Sequence, residues 1–424
     1  MLTDEEAAAL GAVDEAAIGR TLLELLAIPS VTGSAAESEL QHHLAGQLER
    51  LGLDVDLWSM DLPALLADPA FPGMEVPREE AWGLVGHTAG GDGDDGPTLV
   101  LQGHVDVVPP GDLAAWEGDP FVPRVTGDVV HGRGACDMKA GLVAHLAALA
   151  AVRAAGVRLR GRVAVHFVVG EEDGGIGAFG TLRRGHRGDA CVITEPTAGT
   201  LITANAGALT FRVTVPGKAA HASSRDAGVS AIDAYLPLHQ ALARLETARN
   251  ANPSPLMAEY PIPYALSVGT LRSGDWASSV PDLLVAEGRL GVRLGEDPAD
   301  ARAELERCVA EACAADPWLR DRPATVSWTG GQFASGSLTE GHPLRDVVRD
   351  ACTDANGWAS RPRERGAPYG SDLRLYAGAG IPTLQFGPGD VRVAHSAEER
   401  VSVSDVVGVA RTLVLTVLRT VGTR

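Results

Sequence analysis

Apolar and polar positions follow two rhythms along this chain. Helical spacing of Ile18, Leu22, Leu23, Leu25 and Leu26 predicts a helix over 16–27 that stops at Ile28-Pro29. A second helix is predicted over 36–51, with Gly52 at its C-terminal cap. Residues 53–58 alternate like a strand. Residues 59–97 are rich in Pro, Gly and Asp and read as an irregular surface excursion. Its run Gly91-Asp-Gly-Asp-Asp-Gly reads as a turn, because it lacks the spacing and the twelfth-position glutamate of a calcium loop. From Thr98 onward, apolar runs alternate with helical ones. The order is a strand at 98, a helix over 139–155, a strand over 162–170, a helix over 176–184 and a strand over 190–194. Strands separated by helices imply a parallel sheet covered on both faces.

Near Ala204 the rhythm changes. Residues 209–215 alternate Leu, Phe, Val, Val against Thr, Arg, Thr, as in a half-buried strand. A helix over 229–249, strands over 266–271 and 283–294 and a helix over 298–314 complete a small α+β module of about 115 residues. Beyond Pro323 the βα alternation resumes with 324–328, 344–356, 382–386 and 402–421. The expected fold class is α/β, a mostly parallel sheet covered by helices on both faces. That domain is assembled from 1–203 and 322–424, and an α+β domain of 204–321 is inserted into it.

Charge narrows the partners. Across 424 residues, 55 acids against 36 bases give a formal net charge of −19. That argues against nucleic acid and anionic membranes, which need a basic surface. A local arginine or a metal could still attract an anionic substrate. The acidic start Met1-Leu-Thr-Asp-Glu-Glu lacks the basic region of a signal peptide. The longest apolar stretch, 140–152, is too short to span a bilayer and contains His145. Five cysteines, an odd number matching no zinc ribbon, suit a reduced, cytoplasmic protein. Cys136 could be a thiol ligand, but a small packed residue is the better reading.

Candidate chemistry gathers at the ends of the predicted strands. His104 and Asp106 close the run from Thr98, Glu171 and Glu172 close the run from Val163, and Glu195 closes the run from Ala190. Asp137 precedes a helical run, and His395 follows Gly387-Pro-Gly389. In an open α/β sheet, ligands bind outside the carboxyl ends of the strands. Carboxylates buried together need cations to neutralise them. With two histidines among oxygen donors, the set suits two divalent metals, Zn²⁺ foremost, with Co²⁺ or Mn²⁺ as alternatives. Asp137, central in chain order, is the candidate carboxylate shared by both cations. Water at such a site has its pKa lowered to about 7. Asp106 is placed to accept the second N–H of His104 and fix its tautomer. Taken singly, Glu195 could cap the next turn and Glu171-Glu172 could start a helix.

These residues lie in stretches that resemble the di-zinc amidohydrolases, the family of acetylornithine deacetylase, succinyl-diaminopimelate desuccinylase, aminoacylase and glutamate carboxypeptidase. The stretches are Leu101-Gln-Gly-His-Val-Asp, Val130-His-Gly-Arg-Gly-Ala-Cys-Asp-Met-Lys, Gly170-Glu-Glu-Asp-Gly-Gly, Thr194-Glu-Pro-Thr, Gly217-Lys-Ala-Ala-His-Ala-Ser and Phe386-Gly-Pro-Gly-Asp with Ala394-His-Ser. The resemblance implies that His104, Asp137 and Glu195 hold one zinc, and that Asp137, Glu172 and His395 hold the other. It implies Glu171 as the general base that later protonates the leaving amine, and Asp106 as the residue that orients His104. The inserted module resembles the family's dimerisation or lid domain, which implies a homodimer in which His221 reaches the neighbouring subunit's site and stabilises an oxyanion. His221 as a mere turn residue is the alternative. Arg289 matches the arginine that grips a substrate carboxylate, with Arg293 a nearby competitor. Gly387 and Gly389 would let the backbone approach the substrate closely.

One departure affects substrate choice. Ser278 stands three residues before Pro281, where the family often has asparagine. The shorter hydroxyl puts in doubt the transfer of a substrate from any one member. The activity implied is hydrolysis of an N-acyl amino acid amide. The same site could serve a dipeptidase or carboxypeptidase. A non-catalytic binding protein on the same scaffold is the remaining reading, and the presence of Glu171 beside a full ligand set argues against it.

Overall fold

The computed structural model describes residues 1–89, 96–357 and 361–424. They form two compact units. The first comprises Met1–Thr203, Ser337–Arg365 and Leu375–Arg424, and the second Ala204–Gly336 and Gly366–Arg374. The Gly91-Asp-Gly-Asp-Asp run expected as a turn lies outside the described residues.

The first unit is built on a mostly parallel sheet. Thr98–His104 is buried along nearly its whole length, and its apolar run places it at the centre. It pairs in parallel with Arg162–Val168 on one side and Ala190–Pro196 on the other. Thr383–Gly387 continues the sheet, parallel to Ala190–Pro196. Leu201–Asn205 then lies antiparallel beyond it. The four parallel strands end on the same side, which brings the chain segments after His104, Val168, Glu195 and Gly387 together.

The helix Ala140–Ala154 packs against these ends because its sequence removes bulk there. A Cβ on Gly141 would come within 2.4 Å of Thr194 Oγ1. A Cβ on Gly103 would meet Leu142 Cδ2 at 2.6 Å. Helix and strands therefore touch almost backbone to backbone. With the preceding turn, this helix is longer than the apolar stretch 140–152 suggests. The most apolar 18-residue window of Ala135–Ala154 has a mean hydropathy of 1.4, sufficient by length and composition for a membrane span, and 83% of that window is buried in the protein. Its uniform apolarity marks the central helix of a core.

Two expectations change. Residues 59–97 are not wholly irregular: Leu62–Leu66 is a short helix and Trp82–His87 a buried strand. That strand runs antiparallel between Asp54–Ser59 and Arg162–Val168. Its two glycines and the Pro-rich approach obscured the signal. Residues 324–328 do not rejoin the outer alternation. They belong to Thr325–Phe333, which pairs antiparallel with Gly207–Pro216 in the second unit. The chain returns to the first unit at Ser337 instead of residue 322, because this strand is half-buried and alternating like its partner.

The second unit is a four-stranded antiparallel sheet in the order Leu266–Ser273, Leu283–Val292, Gly207–Pro216, Thr325–Phe333. Leu209, Phe211, Val213 and Val215 point into one core with Leu238 and Leu242 of the helix Ala231–Arg249 and Leu305 and Val309 of the helix Pro298–Ala315.

Leu84 of the Trp82–His87 strand is fully buried and pairs with Leu57 and Phe167. Leu84→Ala is expected to cost about 2–5 kcal/mol in urea unfolding. A loss below about 1 kcal/mol would place this strand outside the core.

Candidate metal centre

His104, Asp137, Glu171, Glu172, Glu195 and His395 converge in the first unit, beyond the carboxyl ends of the parallel strands. Asp137 lies in the turn Ala135–Lys139 that opens the central helix. Its two oxygens face different imidazoles: Oδ1 is 3.1 Å from His104 Nε2, and Oδ2 is 3.3 Å from His395 Nε2. Glu195 Oε1 approaches His104 Nε2 at 3.7 Å, and Glu172 Oε1 approaches His395 Nε2 at 3.0 Å. Glu171 sits beside this set, with a carboxylate oxygen within 4.8 Å of donor atoms of both His104 and Glu195.

The electrostatics follow from four largely buried carboxylates meeting one buried imidazole, His104, and one that reaches solvent, His395. Burial alone would lower the pKa of His104, but the charge of Glu195 and hydrogen bonds with Asp137 and Glu195 raise it well above the ordinary range. His395 is pushed up to about 11 by its bonds to Asp137 and Glu172. Glu172 rises to about 7, through burial first and the charge of Asp137 second. Asp137 goes the other way. Burial opposes ionisation, and the bonds from His104 and His395 outweigh it. The carboxylates thus favour positive charge on the groups they surround.

The donor chemistry fits divalent cations: nitrogen and oxygen atoms converge, and one carboxylate faces both halves of the set. Cys136 is no part of it. Its thiol is buried behind the turn, 3.6 Å from Glu399 Oε1 and 3.8 Å from the Asp390 carbonyl. His395 itself has φ +59°, in the left-handed region. That conformation costs of order 1–3 kcal/mol outside glycine and persists where surroundings fix it.

The backbone carbonyl of Asp106, not its carboxylate, accepts from His104 Nδ1, at 2.9 Å. The carboxylate is 3.8 Å from that nitrogen. It accepts instead from the backbone N–H of Glu171 (3.1 Å) and Glu172 (3.2 Å) and from the Thr32 hydroxyl (2.9 Å). The expected side-chain bond is absent because the carboxylate is turned toward the Glu171 and Glu172 amides, leaving the Asp106 carbonyl nearer the imidazole. Gly387 and Gly389 have a packing role in the first unit. A Cβ on Gly387 would lie 2.1 Å from the Thr194 carbonyl oxygen, and one on Gly389 would lie 2.5 Å from Cys136 Cβ. Both let the chain close on the protein's own backbone beneath the cluster.

Sequence reasoning missed Glu399. Its Oε1 accepts the N–H groups of Cys136 (3.2 Å) and Asp137 (3.1 Å), while Arg133 holds its Oε2 at 2.5 Å. The signal was available in the arginine of Gly132-Arg-Gly and the second acid of Glu398-Glu399.

The remaining residues belong to the second unit. His221 and Ser278 share one small ladder: His221 pairs with Ser279, and the Ser278 carbonyl accepts the Ala222 N–H at 2.9 Å. His221 is exposed, and its Nδ1 accepts from the Ser223 N–H at 3.2 Å. The ring proton of the neutral form then sits on Nε2. Arg289, on Leu283–Val292, donates to the Pro368 carbonyl at 3.1 Å. Burial lowers its pKa, and no carboxylate pairs with it among the described residues. Arg293 is committed to Glu296 and Glu304, at 3.5 and 3.7 Å.

Residues 100–419 match the description of peptidase family M20/M25/M40. The chain belongs to that family. It is therefore an M20 hydrolase by descent. It is 26% identical over 417 residues to N-formyl-4-amino-5-aminomethyl-2-methylpyrimidine deformylase of Halalkalibacterium halodurans, covering 92% of this chain and 91% of that one. It is 30% identical over 397 residues to succinyl-diaminopimelate desuccinylase of Leptothrix cholodnii, covering 90% and 93%. Among solved structures, a Staphylococcus aureus tripeptidase shares the fold with a TM-score of 0.74 at 22% identity, covering 97% and 100%.

Because four carboxylates converge on two imidazoles only in the folded chain, a divalent cation should bind the folded chain and not the unfolded one. Zn²⁺ or Co²⁺ at about 100 times its dissociation constant is expected to add roughly 3 kcal/mol of stability over the chelator-treated protein. Calorimetry would register this as a rise of the unfolding midpoint by several degrees. An unchanged midpoint would count against a metal centre.

Proposed function

We propose that the protein is a metal-dependent deacylase that hydrolyses the amide of an N-acyl amino acid. The observation that carries the reading is Asp137 turned toward two imidazoles at once, with Glu171 beside it. In this reading His104, Asp137 and Glu195 hold one divalent cation, and Asp137, Glu172 and His395 hold another. Zn²⁺ is the foremost candidate, with Co²⁺ or Mn²⁺ as alternatives. Such cations supply Lewis-acid polarisation of a carbonyl and make water acidic enough to react at neutral pH.

The chain's own groups do the rest. Glu171 removes a proton from the attacking water and returns it to the nitrogen of the leaving amine. Asp106 holds the Glu171 and Glu172 amides and so fixes where both carboxylates point. Glu399 does the same for Asp137. His221, with its Nε2 proton outward, donates to the oxyanion from the partner subunit of a homodimer. The open edge strand Leu266–Ser273 of the second unit, with Leu271 exposed, supports such self-association. Arg289 grips the substrate carboxylate, because its buried charge has no acidic partner among the described residues and a fork of N–H groups matches two oxygens. Ser278 offers the substrate a hydroxyl in this reading. Five free cysteines accord with a cytoplasmic setting.

The names of both sequence relatives describe removal of an acyl group, formyl in one and succinyl in the other. A dipeptidase or carboxypeptidase would use the same site, and the difference lies in the pocket.

Amine release from N-formyl, N-acetyl and N-succinyl amino acids and from dipeptides, with Zn²⁺ or Co²⁺ added, tests the reading. Turnover of one acyl class is expected, and turnover of dipeptides alone would move the protein to the peptidases. Glu171→Ala is expected to retain both metals by elemental analysis and to lose at least about 10³-fold in kcat; loss of metal would make Glu171 a ligand instead of a base. Arg289→Met is expected to raise KM by roughly 10–100-fold for substrates bearing a free carboxylate, as loss of a charged hydrogen-bond pair would. Equal effects on amide-blocked substrates would remove Arg289 from carboxylate recognition.

A further inference from the structure

Behind Glu171 and Glu172 lies a second charged group, of which the mechanism above uses only Asp106. Three consecutive backbone amides of this turn are each held by a carboxylate oxygen. Gly170 N–H donates to Glu37 Oε1 at 2.8 Å, Glu171 N–H to Asp106 Oδ1 at 3.1 Å, and Glu172 N–H to Asp106 Oδ2 at 3.2 Å. The next residue, Asp173, turns its own carboxylate back into the protein. Glu37, Asp106 and Asp173 thus crowd one buried region, where charged carboxylates need a countercharge.

That cation is Arg78. Its Nη1 donates to Glu37 Oε2 at 2.9 Å, and its Nη2 donates to Asp173 Oδ1 at 3.3 Å. The guanidinium side chain is fully buried, and the side chains of Glu37 and Asp173 are 3% and 4% exposed. Arg78 comes from the segment between residues 59 and 80 that the sequence marks as irregular. The neighbours Glu75, Val76, Pro77, Glu79 and Glu80 are all exposed, so Arg78 is the anchor of this stretch. The segment is fitted to the turn closely. Val76 N–H donates to Asp173 Oδ2 at 3.2 Å. A Cβ on Gly170 would lie 2.7 Å from Arg78 Nη2, and one on Gly174 would lie 2.1 Å from the Gly73 carbonyl oxygen. Glycines at both ends of the turn make room for the arginine and its loop.

We infer that Arg78 is a positioning residue: by bridging Glu37 and Asp173 it fixes the turn 170–173 that presents Glu171 and Glu172. The inference rests on the reading of Glu171 as base and Glu172 as ligand, and it deepens that reading. Arg78 pairs with Glu37 and Asp173 and not with the candidate ligand carboxylates. It acts through Glu37 on the Gly170 amide and through Asp173 on the far end of the turn. Removing it leaves two buried carboxylates without their countercharge and frees the loop that covers them.

The test compares Arg78→Met and Arg78→Lys in the full chain, by amide hydrogen exchange and by steady-state kinetics on the best substrate of the panel above. In Arg78→Met, exchange in the peptide covering 168–175 is expected to quicken by about tenfold or more, with the rest of the chain unchanged. kcat is expected to fall by roughly 10–100-fold with KM within about twofold, as for a misplaced catalytic group. Arg78→Lys retains the charge but not the two-pronged contact, and is expected to recover part of both losses. Unchanged protection of 168–175 in either variant would overturn the inference. So would a uniform loss of protection across the chain, which marks general destabilisation. Should Arg78→Met fail to fold, Arg78→Lys alone decides by the same exchange readout. Exchange needs no substrate, so a chain inactive on the whole panel would sink the proposed activity and leave this test standing.

Discussion

Four largely buried carboxylates held around two imidazoles set the terms for the rest of the first unit. Such a group repels itself unless something positive enters or every oxygen is held in place by a donor. The structure supplies both kinds of relief. Asp137 shares its oxygens between His104 and His395. The backbone amides around it are held in turn by Glu399 and Asp106, which have partners of their own in Arg133 and Thr32. Each layer of negative charge is thus backed by a donor or a cation one step farther from the centre. The parallel sheet makes this arrangement feasible because it delivers four chain segments to the same edge.

Much of this was legible in the sequence, and for a physical reason. Buried parallel strands are continuous apolar runs, so the acid or histidine that ends each one stands out, as at His104, Glu171 and Glu195. The long amphipathic segments were equally plain. What stayed hidden depends on contacts between residues distant in sequence. The strand Trp82–His87 has two glycines in six residues, and its burial comes from neighbours on both sides. Thr325–Phe333 carries the same alternation as any half-buried strand, so nothing local says which sheet it joins. The helix Asp4–Gly11 went unread although Thr3 and Glu6 form a reciprocal capping pair at its start.

The site roles divide the same way. Ligand candidates could be named from residue type and position. The residues that orient them could not, because a carboxylate holding a backbone amide looks like any other acid until its partner is known. Glu37 reads as an ordinary acid in the first turn of a helix, and Asp106 reads as a histidine's companion. Both instead hold the turn that carries Glu171 and Glu172. Arg289 and Arg293, indistinguishable by spacing, separate once their surroundings are seen: Arg293 is tied to Glu296 and Glu304, and Arg289 is buried with no acid paired to it among the described residues.

The strand Thr383–Gly387 lies between Ala190–Pro196 and Leu201–Asn205, two strands separated by a short turn in the sequence. During synthesis on the ribosome, those two strands emerge long before the one that parts them. Until it arrives, Ala190–Pro196 and Leu201–Asn205 each offer an unsatisfied edge, and His395 is not yet present to meet Glu172. The nascent chain must therefore keep a slot open in its central sheet while the whole second unit is made, a stage at which bare strand edges invite pairing with other chains.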